Sequence, residues 1–276
     1  MAAAPIFIVS SGRSGTKMME RLFGDLPNLT MHHEYMVHIL QPLAVRRYLG
    51  LIGPSETQRV LRDVYGAAMH HAATPLWGDS SNKASWLIPD LAALFPEARF
   101  VHLIRDGRKV ASSYFHKLAD ECYDDEATRV LMAHVQAPDE VPAPPPEKRY
   151  WWPVPKPGDP RATVFRLYDR FERIAFHWAE INRVIGAALA DLPPSRWRLA
   201  RLEDLVADPD EVAALFGFLN LPFTPERGLL MSRPHNVNRP VDTPLTERQD
   251  AQFRRLAWDV MEAYGYDRRD AYVVNY

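Results

Sequence analysis

The chain has 276 residues, 47% of them hydrophobic and 25% charged, which is ample material for the core of one large domain or two small ones. A formal net charge of −2 argues against a general binder of nucleic acid or of anionic membrane, and leaves room only for a local basic site. The single cysteine, Cys122, excludes an internal disulfide and a thiolate metal cluster. The opening residues lack a basic, then long apolar leader, and no apolar run reaches the roughly 18 residues of a membrane span; a cytoplasmic protein is expected.

In chain order, Ile6-Phe7-Ile8-Val9 reads as a buried strand that breaks into the loop Ser10 to Gly15. Met18, Met19, Leu22, Phe23 and Leu26 then fall on one face of a helix. The same succession recurs further on: Phe100 to Ile104 as a strand, Arg105-Asp106-Gly107-Arg108 as its exit turn, and Val110, Ala111, Tyr114 and Leu118 along a helix. Val141 to Pro160 holds eight prolines and the pair Trp151-Trp152, so no regular structure is expected there. This insertion, about 138–162, reads as a surface loop or as a substrate lid. Leu167, Phe171, Ile174, Trp178, Ile181 and Ile185 have helical spacing. Trp197 to Leu202 forms a further apolar segment. Asp208-Pro209-Asp210-Glu211 is a helix start, with Asp as cap and Pro at the first position. Phe253, Leu256, Val260, Met261 and Tyr264 mark a last helix, stopped at Gly265. Strands alternating with helices predict an α/β fold with a parallel β-sheet flanked by helices.

Two segments carry chemistry. In Gly12-Arg13-Ser14-Gly15-Thr16-Lys17-Met18 a strand end meets a helix start, where free backbone N–H groups and the helix dipole attract an anion. Arg13, Lys17, Ser14 and Thr16 add cationic and hydroxyl donors; the occupant expected is a phosphate or sulfate. This is not the nucleotide-triphosphate loop, because Thr16 separates Gly15 from Lys17 and Met18 replaces the magnesium-binding hydroxyl. The second segment pairs Arg105, at a strand end, with Ser113 about two turns into the next helix. Alone, such a pair is better explained by a structural role than by a second phosphate.

Taken together, the segments resemble those of the PAPS-dependent sulfotransferases. Gly12 to Thr16 is similar to that family's 5′-phosphosulfate loop, and Ile104 to Tyr114 to its 3′-phosphate motif with Arg and Ser at the same spacing. Arg201-Leu202-Glu203-Asp204-Leu205-Val206-Ala207-Asp208-Pro209, followed by Phe218 to Phe223, is similar to its third shared block. The resemblance implies one domain over 1–276 with the P-loop, nucleotide-kinase-like sulfotransferase fold and a five-stranded parallel core. It implies in-line transfer from PAPS, with 3′,5′-bisphosphoadenosine as product and no metal. By that resemblance Arg13 stands near the bridging oxygen on the leaving side, while Lys17, in place of the family's second Thr, either shares that task or contacts the 5′-phosphate. Arg239, in His235 to Pro240, is either a third contact to the 3′-phosphate or a plain loop arginine. His33-Glu34-Tyr35 is similar to a bacterial branch in which the glutamate after the first helix is the base. Glu34 is therefore the leading base, His33 its alternative, and Lys83 a candidate contact to the transferring group. Leu202 stands where the family has a tyrosine near adenine, and Met18 where an aromatic is frequent. The acceptor expected is a small molecule, aromatic or apolar, met by Tyr150, Trp151, Trp152 and Tyr168, with Trp178 assigned to the core. The rivals are a small-molecule kinase using ATP, which needs a magnesium site, and a non-catalytic nucleotide-binding module.

Overall fold

The computed structural model describes residues 3–118, 121–231 and 243–270. Five strands, β1 (Ala4–Val9), β2 (Leu29–His33), β3 (Leu76–Ser80), β4 (Arg99–Ile104) and β5 (Trp197–Arg201), form one sheet in the order β2-β3-β1-β4-β5, and every neighbouring pair is parallel. The helices are α1 (Thr16–Phe23), α2 (Val37–Leu49), α3 (Pro54–Leu61), α4 (Ala67–His70), α5 (Ile88–Leu94), α6 (Gly107–Lys117), α7 (Asp125–Gln136), α8 (Arg161–Phe165), α9 (Arg170–Ala190), α10 (Leu202–Ala207), α11 (Pro209–Leu219), α12 (Pro225–Met231) and α13 (Glu247–Ala263). The expected α/β fold and its five-stranded parallel core are both present.

Alternation along the central strands sorts their side chains into two apolar layers. Phe7 and Val9, with Phe100 and Ile104, face α2, α5, α6, α9 and α13; Ile6 and Ile8, with Val101 and Leu103, face α1, α10 and α11. A strand buried on both faces must be apolar throughout, which is why β1 shows as an uninterrupted run in the sequence. The expected cap at Asp208 forms, accepting from the Asp210 N–H, and a reciprocal capping box of Asp169 and Glu172, not anticipated from the sequence, starts α9. Leu167, placed with the α9 stripe by its spacing, lies before the helix and is 83% exposed.

The strand order reverses between β1 and β4. The connection from β1 runs to one side of the sheet and that from β4 to the other, so the loops at their carboxyl ends open a crevice between them. Ser10 to Gly15 and Arg105-Asp106 are those two loops.

Candidate active site

The loop after β1 directs its carbonyls into the protein. Ser10 O accepts from Ser85 Oγ at 2.8 Å, Ser11 O from Tyr114 Oη at 3.0 Å and His177 Nε2 at 2.9 Å, Gly12 O from Ser14 Oγ at 3.0 Å, and Arg13 O from Arg105 Nη1 at 3.1 Å. The N–H groups behave oppositely. Gly12 N–H is used by Ser10 Oγ, but from Arg13 to Lys17 no backbone N–H has a partner among the described residues. Gly15, with φ 93°, caps α1 without a side-chain bond. A run of unpaired N–H groups ending in an uncapped helix N-terminus is an anion cradle. Gly12 is required by space: a Cβ there would lie 2.0 Å from Tyr114 Oη.

Arg105 and Ser113 stand beside this cradle on the same sheet edge. Besides the Arg105 bond to Arg13 O, Arg13 Nε donates to Ser113 Oγ at 3.0 Å. The Nε of Arg105 is buried and has no partner among the described residues. Trp178, a core residue as expected, donates its indole N–H to Arg105 O at 3.2 Å and so fixes the strand end. The third sequence block supplies Glu203, whose carboxylate accepts from Asp106 N–H at 2.9 Å and from Tyr266 Oη at 2.7 Å, holding the turn after β4. Leu202 packs against Gly15, where an added Cβ would lie 2.9 Å from it; Met18 turns into the same apolar layer, and its N–H is used by Gly15 O. Lys17 is more than half exposed and ion-paired with Glu20. Arg239 lies outside the described residues.

Glu34 follows β2 directly, in the left-handed region at φ 52°. Its N–H bonds Ser80 O at 3.2 Å, and the next N–H, of Tyr35, bonds the buried Asp79 Oδ1 at 3.1 Å. Burial pushes the Glu34 carboxyl up, but the positive charge of Lys83, Lys148, His33 and Arg13 outweighs it and holds the carboxyl below the usual range. Lys83 is only 2% exposed, in the short turn Asn82–Trp86, with its ammonium 4.9 Å from the centre of the Trp152 ring. Burial lowers its pKa to about 8 against the raising effect of Glu34. His33 lies on the other side: its Nε2 is 3.1 Å from Thr16 Oγ1, and burial depresses its pKa. Arg13, Lys83 and Glu34 are thus coupled in charge, while Lys17 points outward on α1.

The placement of three side chains around the site is not legible in the sequence. Asp79 reads as part of a polar turn, yet it is buried, bonded by Tyr65 Oη at 2.6 Å, and raised to about 7 by burial. Tyr114 reads as an ordinary member of the stripe with Val110 and Leu118, and His177 belongs to no apolar stripe. The Pro-rich segment is packed: Trp151 and Trp152 are 2% and 3% exposed, and their indole N–H groups bond Pro145 O and Glu121 O. Where a kinase would want a magnesium-binding carboxylate, Asp106 caps α6 and is ion-paired with Arg108 at 2.7 Å. Among the described residues no three His, Cys, Asp or Glu side chains are grouped to hold a metal, and no helix is long and apolar enough to cross a membrane.

Residues 5–136 match the sequence model of the Sulfotransferase family. The fold resembles that of a sulfotransferase from Alicyclobacillus acidocaldarius, at 14% identity and a TM-score of 0.55, covering 98% of each chain. It also resembles the sulfotransferase domain of the Synechococcus PCC 7002 olefin synthase, at 17% identity and a TM-score of 0.53, covering 97% of each chain. No curated protein matches. The family model thus matches residues 5–136, and the described residues share the parallel α/β fold of these two sulfotransferases.

Proposed function

We propose that the protein transfers a sulfuryl group from PAPS to a hydroxyl or amine of a small-molecule acceptor, with Glu34 as general base. The observation that carries this reading is the run of unpaired N–H groups from Arg13 to Lys17 beside the unpartnered Nε of Arg105. Two anion-seeking groups on adjoining strand ends suit a ligand with a phosphate at each end. When bound, PAPS would supply an electrophilic sulfur and a stable bisphosphate leaving group. The Arg13–Lys17 cradle would hold its 5′ end, with Arg105 and Ser113 at the 3′-phosphate; Arg239 completes the 3′ contacts in this reading.

Each residue then has a physical task. Arg13, tied to Ser113, places positive charge where negative charge builds on the leaving oxygen. Glu34 is ionised at neutral pH and takes the acceptor proton. The Lys83 ammonium neutralises charge on the moving group and keeps Glu34 ionised. His33 is spent on Thr16, which favours Glu34 over it as the base. Trp152, beside Lys83, gives the acceptor side an aromatic wall, in keeping with an aromatic or apolar acceptor.

Calorimetry with adenosine 3′,5′-bisphosphate and with ATP plus magnesium tests the donor, and transfer of labelled sulfate over a panel of phenols, alcohols and amines tests the reaction. Bisphosphate binding tighter than ATP, with label in at least one acceptor, is the expected result. Preference for ATP, with phosphate transfer, would overturn it; binding with no transfer to any acceptor would mark a nucleotide-binding module.

A further inference from the structure

The anion cradle is adjustable by construction. Gly12 has φ +83° and no Cβ, so the Ser11–Gly12 peptide has unusual freedom to rotate. One orientation turns the Ser11 carbonyl into the protein; the reverse turns it toward a bound anion, where it would repel. Within the loop, Gly12 N–H to Ser10 Oγ at 3.0 Å holds one end of this peptide; its carbonyl end is held from outside the loop.

That task falls to two buried donors from different helices. Tyr114 Oη, on α6, and His177 Nε2, on α9, both reach Ser11 O, at 3.0 and 2.9 Å, and so occupy both of its lone pairs. Since a carbonyl only accepts, Nε2 carries the proton, and burial keeps the imidazole neutral by lowering its pKa to about 3. The other ring nitrogen, Nδ1, is then an acceptor and lies 3.2 Å from Tyr123 Oη, whose one proton is divided between Nδ1 and Pro153 O, the latter at 2.6 Å. The chain of contacts therefore runs from the Pro-rich segment through Tyr123 and His177 into the cradle. Trp152 closes the group, with ring centres 5.5 Å from His177 and 5.9 Å from Tyr114, and the same ring faces Lys83.

We propose that His177 is a positioning residue for donor binding: with Tyr114 it pins the Ser11 carbonyl inward, and through Tyr123 it ties the anion cradle to the Pro-rich segment. This rests on the reading of the cradle as the donor site. It assigns the Pro-rich segment a part in donor binding that the sequence does not suggest.

The test uses the full chain, calorimetry with adenosine 3′,5′-bisphosphate, and the KM for each substrate. H177F keeps an aromatic ring, somewhat larger, but no donor, and its bisphosphate Kd should rise about 5- to 10-fold, the size of one lost hydrogen bond. Y114F should do the same. The double variant should lose more than the product of the two, because one oxygen then has no donor at all. H177Q, whose amide N–H sits near the Nε2 position, should recover most of the H177F loss, and Y123F should show a smaller rise. In all of them the donor KM should move and the acceptor KM should not. Unchanged Kd in Y114F and H177F, or H177Q as damaging as H177F, overturns the inference while the donor reading stands. Should H177F fail to fold, Y114F, Y123F and H177Q decide it in the same way. A wild-type protein that does not bind the bisphosphate would instead sink the donor reading, and this inference with it.

Discussion

Glu34 is held more by backbone than by side chain. Left-handed φ is unfavourable for a residue with a Cβ, and here the N–H bonds to Ser80 O and Asp79 on either side of the turn enforce it. The backbone at Glu34 is thereby fixed, and among the described residues no hydrogen bond occupies its carboxylate oxygens. E34Q preserves shape and removes basicity, so it should keep bisphosphate affinity and lose about 100- to 10,000-fold in turnover; near-normal turnover would rule Glu34 out as the base. Lys83 sets the other limit. Its pKa, brought down to about 8 by burial, means that its charge is present below that pH and lost above it. Glu34, held below the usual carboxylate range, titrates on the acid side. The pH profile of kcat should therefore be flat through neutrality and fall as pH rises past about 8. K83M should lower kcat by about 100- to 1,000-fold and abolish that alkaline fall. An alkaline limb that survives in K83M would assign the titration to another group.

At the scale of elements, the Pro-rich segment decides between two pictures. A lid that opens would cost little to truncate. A wall that packs on α9 should cost as much as any core aromatic. Trp152 is 3% exposed, with Tyr114, Tyr123 and His177 against its ring. W152A should therefore destabilise the protein by about 3–5 kcal/mol in urea denaturation, whereas a loss under about 1 kcal/mol would mark a detachable lid. The elements legible in the sequence were those whose signal is local. The β1–loop–α1 and β4–α6 units were readable because a doubly buried strand is apolar throughout and a glycine turn ends it. Strand β3 was not: Leu76-Trp77-Gly78-Asp79-Ser80 has the composition of a turn, and Asp79 is tolerated inside only because Tyr65 and the Tyr35 N–H meet it from elsewhere in the chain. Strand β2, with two histidines, was hidden likewise. Residue types for the anion site were legible, but their mutual arrangement was not. Arg13 reaches Ser113 across 100 residues and His177 reaches Ser11 across 166, and no local pattern carries such pairings.

For the whole molecule, the crevice between β1 and β4 is where ligand binding and stability meet. The two loops that would grip a bisphosphate belong to the central strand and its neighbour. Trp178 ties one of them to α9, and Glu203 ties it to the start of α10 and to Tyr266. A ligand bridging both loops binds the folded state alone, so its binding free energy adds to the stability of the entire sheet. At 100 times Kd this amounts to about 2.7 kcal/mol, which for a chain of 276 residues corresponds to a rise in Tm of about 5 °C. Adenosine 3′,5′-bisphosphate should give that shift in a thermal melt. Adenosine 5′-monophosphate, which leaves Arg105 and Ser113 without a partner, should give much less at the same concentration. R105A should bring the two nucleotides close together, because only the cradle at Arg13 to Lys17 then holds either one. Equal shifts from both nucleotides in the wild-type protein would mean that Arg105 and the loop after β1 do not act on one ligand.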